Sequence, residues 1–296
     1  MTEERINNST INTVRIPEKN AKHHLTFRGF LMYTAMVVIS FLSLLPILWV
    51  FLSSFKTNAE ILSSGLSLPQ SPTLDGYVNA FKISPIHTFY GNSILIAVFS
   101  TLLNVFLIGM AAYVIARFDF KFKRTIILLF SVTLMLPMTA LIQPVYLVIN
   151  ALKLHDTRVG LMLVYIALGL PTTFFVMRGY FLNLPRSVEE ASYIDGGGFF
   201  YTFVHIVLPM AKPGMATAAV LQFILAWNEF LYALVLTTSQ KVRTLPIALN
   251  YFKTQFSFNY TAMFAAVIII IIPSVLAYVL LQEQVVESLA SGAVKG

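Results

Sequence analysis

Apolar residues run along this chain in long unbroken blocks, each about the length that crosses a ~30 Å hydrocarbon core as a helix. Six such blocks lie at approximately Leu31 to Phe51, Asn92 to Ala116, Thr125 to Ala151, Gly160 to Leu182, Gly214 to Thr238 and Thr261 to Leu281. Within each, apolar character continues around the helix instead of keeping to one stripe, which predicts spanning helices over the core helices of a soluble protein. The ten-residue alternation of an outer-membrane barrel is missing. Pro46, Pro137, Pro144, Pro171 and Pro273 fall inside these blocks and are expected to kink helices, not to end them. The expected fold class is therefore an all-α integral membrane protein with six transmembrane helices. Residues 1–29 would form a first tail, 30–282 the membrane domain and 283–296 a second tail, with a polar segment at 183–213 between the fourth and fifth helices.

Composition agrees with a lipid solvent. The chain is 57% hydrophobic and 11% charged, too little charge to coat a soluble globule of this size. Cysteine is absent, which excludes disulfides, thiol nucleophiles and thiolate metal sites. Lys and Arg are dispersed among short loops, so the excess of basic charge sets orientation and does not suggest a nucleic-acid partner. With the amino terminus inside, thirteen of the 20 basic residues fall on inner segments, and the asymmetry is strongest around the first two spans. Both termini and the 183–213 segment are then expected on the cytoplasmic side of a multi-pass protein of the inner cell membrane. The polar stretch from Met1 to Arg28 lacks the short apolar region of a cleavable signal and is expected to be an uncleaved cytoplasmic tail.

Local signals in the segment from Asn183 to Pro213 predict a helix, a break and a second helix. Pro185 suits a helix opening, and Ser187 with Glu190 three residues later has the spacing of a capping box. Gly196, Gly197 and Gly198 should stop that helix. Phe199, Phe203 and Ile206 then resume a helical rhythm until Pro209 and Pro213 close it. Such a helix could lie in a groove of another protein or pack beneath its own bundle.

The same segment reads Glu190-Ala191-Ser192, three residues, Gly196, nine residues, Ile206, one residue, Leu208-Pro209. This resembles the EAA loop of ABC importer permeases, in which Glu-Ala-Ala, Gly, Ile and Leu-Pro stand at those spacings; only Ser192 departs. Further matches run through Ser54-Phe55-Lys56, Tyr77, Asn92-Ser93, Ala111-Ala112-Tyr113, Ala116-Arg117-Phe118, Pro144-Val145-Tyr146 and Trp227-Asn228-Glu229-Phe230 to the ending Ser291 to Gly296. Together they are similar to the carbohydrate-uptake branch of these permeases, and to the smaller permease subunit of the maltose type. The resemblance implies half of a heterodimeric pore for a sugar, with a second permease subunit, an extracytoplasmic sugar-binding protein outside and two ATPase subunits inside. It assigns ATPase coupling to Glu190, Ala191, Ser192, Asp195, Gly196, Ile206, Leu208 and Pro209. The chain has no phosphate-gripping Gly-x-x-x-x-Gly-Lys-Ser/Thr loop, so ATP and Mg are expected on the partner ATPases and no cofactor on this chain.

No catalytic constellation emerges. His23, His24, His87, His155 and His205 lie on tails, loops or the polar segment, without zinc-protease spacing, and no metal site or enzymatic activity is expected. Glu229 is the one carboxylate inside an apolar block. It either lines the sugar path or bonds to a partner subunit, because charges in spanning helices face cavities or partners. Asn228 lies beside it, and Trp227 and Tyr232 could stack on a sugar ring or anchor at the membrane interface. These four residues are the candidate translocation path. The alternative class is a secondary transporter or channel without an ATPase, against which stand the single marginal carboxylate and the lack of an evident repeat.

Overall fold

The structure, a computed structural model, describes residues 27–253 and 258–293; of residues 27, 28 and 281 and of those from 283 onward it describes the backbone alone. The expected tail at 1–26 and the final residues 294–296 lie outside the described residues. The chain divides into two compact units, one through Leu48 and the other from Trp49 onward. Helix α1 covers Phe27–Ser53, and the division falls inside it. Then come α2 (Asn58–Ser63), α3 (Asp75–Ile83), α4 (Ile86–Arg117), α5 (Lys123–Met135), α6 (Ile142–Ala151) and α7 (Arg158–Asn183). The polar segment holds α8 (Arg186–Ile194), α9 (Phe199–Thr202) and α10 (Leu208–Met210), followed by α11 (Lys212–Asn228), α12 (Leu231–Leu236) and α13 (Tyr260–Ala293). No strand is present among the described residues beyond one isolated bridge, Lys253 with Phe258.

Among the described residues four helices are long and apolar enough to cross a membrane, or up to six if each of two bent pairs counts as one span. The third expected block is the first such pair: α5 and the turn leading into α6 bend by 102°. Pro137 thus ends a helix where a kink was expected, because residue 136 ahead of it is extended (φ −80°, ψ 125°), the conformation a following proline imposes. Pro144 sits in the first turn of α6, where its missing N–H costs nothing. Pro46, Pro171 and Pro273 remain inside helices, as expected. The fifth block, expected as one run to Thr238, breaks at Glu229, which is extended, and resumes at α12. The boundary expected at residue 282 falls within α13, which continues to Ala293.

In the second unit α4 and α7 pack along each other, with α11 against both and α13 against α11. Phe89, Tyr165, Trp227 and Phe252 centre one buried cluster, and Tyr113, Phe174, Met177, Phe181 and Phe203 a second. Polar side chains attend the proline sites. Asn104 on α4 donates to the Ile166 carbonyl at 2.8 Å and Gln222 on α11 to the Tyr165 carbonyl at 2.9 Å, on the turn of α7 ahead of Pro171. Trp227 donates to the Ile270 carbonyl, three residues ahead of Pro273. The carbonyls that Pro171 and Pro273 leave without an i+4 partner are those of Ala167 and Ile269, so these donors bond to backbone near the prolines and tie the helices to each other.

Several residues of the resemblance fasten loops. Asn92 donates to the carbonyls of Lys241 and Arg243, and the Ser93 hydroxyl accepts the Leu245 N–H at 2.7 Å, pinning the segment after α12 to α4. The Ser54 and Tyr77 hydroxyls meet at 2.9 Å. Lys56, 1% exposed, donates to the carbonyls of Ser64 and Gly65, and the Trp49 indole reaches the same Gly65 carbonyl. A capping box does occur, at Thr57 and Glu60 in this loop.

Candidate functional site

The polar segment is a helical hairpin. Helix α8 opens after Pro185 at the N-cap, without a side-chain cap. Ser187 therefore lies inside the helix and the expected Ser187–Glu190 capping box does not form: a hydroxyl caps only from the extended residue ahead of the first turn, and Pro185 holds that place. The stop at the glycines is as expected. Gly196 has φ +87°, its N–H reaches the Tyr193 carbonyl, and the Gly197 N–H reaches the Ser192 carbonyl at 2.8 Å. These two bonds form a Schellman close. After α9 the chain widens into a π-helix, Phe203–Val207, just ahead of Pro209, which has no N–H to return to the preceding turn. The widening turns Thr202, Phe203 and Val207 inward and leaves Ile206 half-buried.

Helix α8 has two faces. Glu189 and Ser192 are buried, while Glu190, Ala191, Asp195 and Gly196 are exposed. Ser192, where the resemblance has alanine, sets its hydroxyl 2.9 Å from that of Thr202 and joins the two arms of the hairpin. Between the arms is a cleft of about 580 Å³ bordered by Ala191, Ser192, Asp195, Tyr201 and Ile206. Leu208 packs on the second cluster and Pro209 is exposed.

The hairpin's strongest tie to the bundle went unread in the sequence. Glu189, not Glu190, is the inward carboxylate: its Oε1 accepts from Arg117 Nε at 2.7 Å and its Oε2 from the Tyr113 hydroxyl at 2.8 Å. Arg117 Nη2 stands 2.6 Å from the same carboxylate and also donates to the Leu184 carbonyl at the end of α7. The two side chains are 5% and 10% exposed. Removing one partner of such a buried pair typically costs about 3–5 kcal/mol, since the other charge is then left uncompensated. The rings of Phe181, Phe199 and Phe203 surround Tyr113. Tyr113 and Arg117 stood in the matched pattern without a role. The spacing of Glu189 and Ser192 on one helical face was the available signal.

Equally unread were large exposed side chains on the hairpin, of which Phe200 borders a groove with Met110 and Ile126 and Tyr201 the cleft between the arms. Ile194 is 85% exposed and Phe200 72%, with Tyr201 at 55%, close in sequence to Glu190 and Asp195. Large apolar side chains left in the open beside a polar rim mark surfaces that a partner covers.

The candidate translocation residues divide. Trp227 is 0% exposed and its indole is spent on α13, so it is a core residue here and offers no face to a sugar. Tyr232 is 2% exposed and its hydroxyl donates to the Met138 carbonyl at 2.7 Å, joining the break in the fifth block to that in the third. Glu229 accepts the N–H groups of Tyr232 and Ala233 and the Tyr165 hydroxyl. Its carboxylate caps the start of α12, which is why the helix restarts there. Exposed Asn228 and half-buried Glu229 border a cleft of about 230 Å³ together with Thr139 and Met138. Among the described residues no group of His, Asp and Glu could hold a metal.

Long apolar helices interrupted by one polar hairpin define a multi-pass membrane permease. Residues 105–289 match the family described as binding-protein-dependent transport system inner membrane component, and the chain belongs to that family. It is 36% identical over 262 residues to the diacetylchitobiose uptake system permease protein of Streptomyces coelicolor, covering 88% of this chain and 87% of that one. With the trehalose transport system permease protein of Mycobacterium tuberculosis it shares 36% identity over 256 residues, 86% of this chain and 93% of the relative. The crystal structure of a bacterial ABC transporter involved in the import of the acidic polysaccharide alginate has a similar fold. The TM-score is 0.75 at 23% identity, covering 86% of this chain and 95% of that one.

Proposed function

We infer that this chain is one of two permease subunits of an ATP-driven sugar importer, and that the α8 to α10 hairpin is the surface its ATPase grips. The observation carrying this reading is the hairpin itself: Glu190 and Asp195 stand exposed beside uncovered Ile194, on a turn closed by Gly196. With six spans, the third made by the bent pair of α5 and α6 and the fifth beginning at α11 so that α8 to α10 stay outside the membrane, the hairpin and both termini face the cytoplasm, in accord with the placement of basic residues. Residues 30–282 then form the membrane domain, flanked by two cytoplasmic tails. A second permease completes the path, an extracytoplasmic binding protein delivers the sugar, and two ATPases hold ATP and Mg. The relatives' names support a sugar or short oligosaccharide as cargo. Ala191, Ser192, Ile206, Leu208 and Pro209 shape the hairpin, while Glu190, Asp195 and Gly196 present its contact surface. Asn228 and Glu229 are this chain's contribution to the path. Closure of the ATPase dimer moves the hairpin, and the pore shifts only by the free energy with which the closed dimer prefers the new state.

Purification of the tagged full chain from native membranes in mild detergent tests this directly. A second permease and an ATPase should accompany it, with hydrolysis stimulated by sugar-loaded binding protein. A chain recovered without an ATPase, supporting uptake driven by an ion gradient, would sink the reading in favour of a secondary transporter.

A further inference from the structure

We propose that the buried Arg117–Glu189 pair is the joint that makes α8 and the end of α4 move as one body, which makes Arg117 a positioning residue for transport. The proposal deepens the coupling role of the hairpin and rests on that reading. Within the hairpin, the Schellman close and the Ser192–Thr202 hydroxyl pair bind its two arms to each other and not to the bundle. Toward the bundle, both oxygens of Glu189 are engaged, one by Arg117 and the other by Tyr113, and both donors sit on the last turns of α4. The same guanidinium also holds the Leu184 carbonyl at 3.0 Å, so one planar group fastens the ends of α4 and α7 to the middle of α8.

Why a charged pair stands here is the informative question. Burying two charges is weak evidence for stability, because apolar side chains of similar volume commonly serve as well or better. Apolar contacts, however, can slide over one another, whereas a guanidinium fork bonded at several atoms accepts one geometry. A force applied to α8 through its exposed face then reaches α4 without slippage. Since α4 packs along α7 and against α11, the displacement enters the helices that carry the breaks and kinks.

The test compares Arg117→Met with Glu189→Leu in one chain, an apolar pair that leaves no orphaned charge, with the parent and with Arg117→Lys. In the reconstituted transporter the apolar pair should assemble with the ATPase as the parent does, while sugar imported per ATP falls several-fold. Arg117→Lys, which keeps the charge and loses the fork, should fall between. Parental sugar-to-ATP ratios in the apolar pair would overturn the proposal, leaving the ion pair a filler of space. Should the apolar pair fail to accumulate, the parent chain still decides the matter by electron-spin distance measurement. Spin labels on cysteines at exposed Ser187 and Leu107 report on α8 and α4, and the chain has no cysteine of its own. One unchanged distance with and without trapped ATP is expected; a change of several ångströms would refute the joint. A parent that brings no ATPase with it overturns the coupling reading itself, and the proposal with it, a failure distinct from either of these.

Discussion

Gln222 stands against Gly169: its side-chain N–H donates to the carbonyl of Tyr165 at 2.9 Å, and its amide occupies the space a Cβ on Gly169 would need. The glycine is thus fixed by an amide arriving from another helix, on the turn of α7 next to Pro171. Gly169→Ala should displace Gln222 and destabilise the chain by about 1–3 kcal/mol, the usual cost of overpacking. Gln222→Ala in the same chain should return part of that loss, a coupling of roughly 0.5–3 kcal/mol between touching residues. Thermal unfolding of the purified chain measures both, and simple additivity would contradict the contact.

The two hairpin glycines should fail differently. At Gly196 a Cβ meets open space, and the φ of +87° is the whole difficulty. Asn, which tolerates left-handed backbone, should be accepted there, while Val should cost at least about 1–2 kcal/mol. At Gly197 a Cβ would lie 2.6 Å from Ser192 Oγ and 2.9 Å from the Ser192 carbonyl, which cannot swing aside. Gly197→Ala should therefore open the turn and weaken ATPase co-purification more than Gly196→Asn, compared at equal chain abundance. The reverse order would show that the turn is not what the ATPase recognises.

Ile194 has no packing role to lose, being 85% exposed. Ile194→Arg should leave the chain's abundance and thermal stability within about 0.5 kcal/mol of the parent, as surface changes do. ATPase recovery with the chain should drop at least about tenfold, which corresponds to ~1.4 kcal/mol of interface energy. Unaltered recovery would remove Ile194 from the coupling surface.

Orientation is checked with single cysteines. Gly198 and Gln70 are exposed, and a side chain at Gly198 meets open space. In intact cells an impermeant thiol reagent should label Gln70→Cys and spare Gly198→Cys. Labelling the other way round would invert the topology and move the hairpin out of reach of ATP.

Asp156, in left-handed backbone at φ 54°, accepts the N–H groups of Thr238 and Ser239 and so ties the turn before α7 to the end of α12. Burial raises its pKa, but the bonds from Ser239 and Thr238 outweigh it and hold the carboxyl below its ordinary value. With the folded pKa below the unfolded value of about 3.9, the stabilisation is present above roughly pH 4 and is lost as pH falls through the folded value. Acidification from about pH 5 to pH 3 should accordingly lower the unfolding temperature more in the parent than in Asp156→Asn, whose amide oxygen still accepts but does not titrate. Equal responses would rule out this carboxylate as the source.

Much of the architecture was legible in the chain because its causes are local or repeat at short range. A block of apolar residues long enough to cross lipid must be a helix there, and Gly196 stops α8 because its own backbone takes a positive φ. The permease family is likewise carried by spacings along one strand of sequence. Contacts between distant segments were not legible. Glu189 and Glu190 are adjacent and chemically identical, and only the packing of α8 beneath Arg117 and Tyr113 decides which carboxylate is buried. Trp227 has the look of a sugar platform until α13 supplies the Ile270 carbonyl, and that Glu229 also caps α12 is visible only once the Tyr232 and Ala233 amides meet it. Pro137 and Pro171 are the same residue in similar apolar surroundings. One ends a helix and the other lies within one, and around Pro171 side-chain amides from two neighbouring helices bond to α7 backbone, contacts that exist only once the helices have come together.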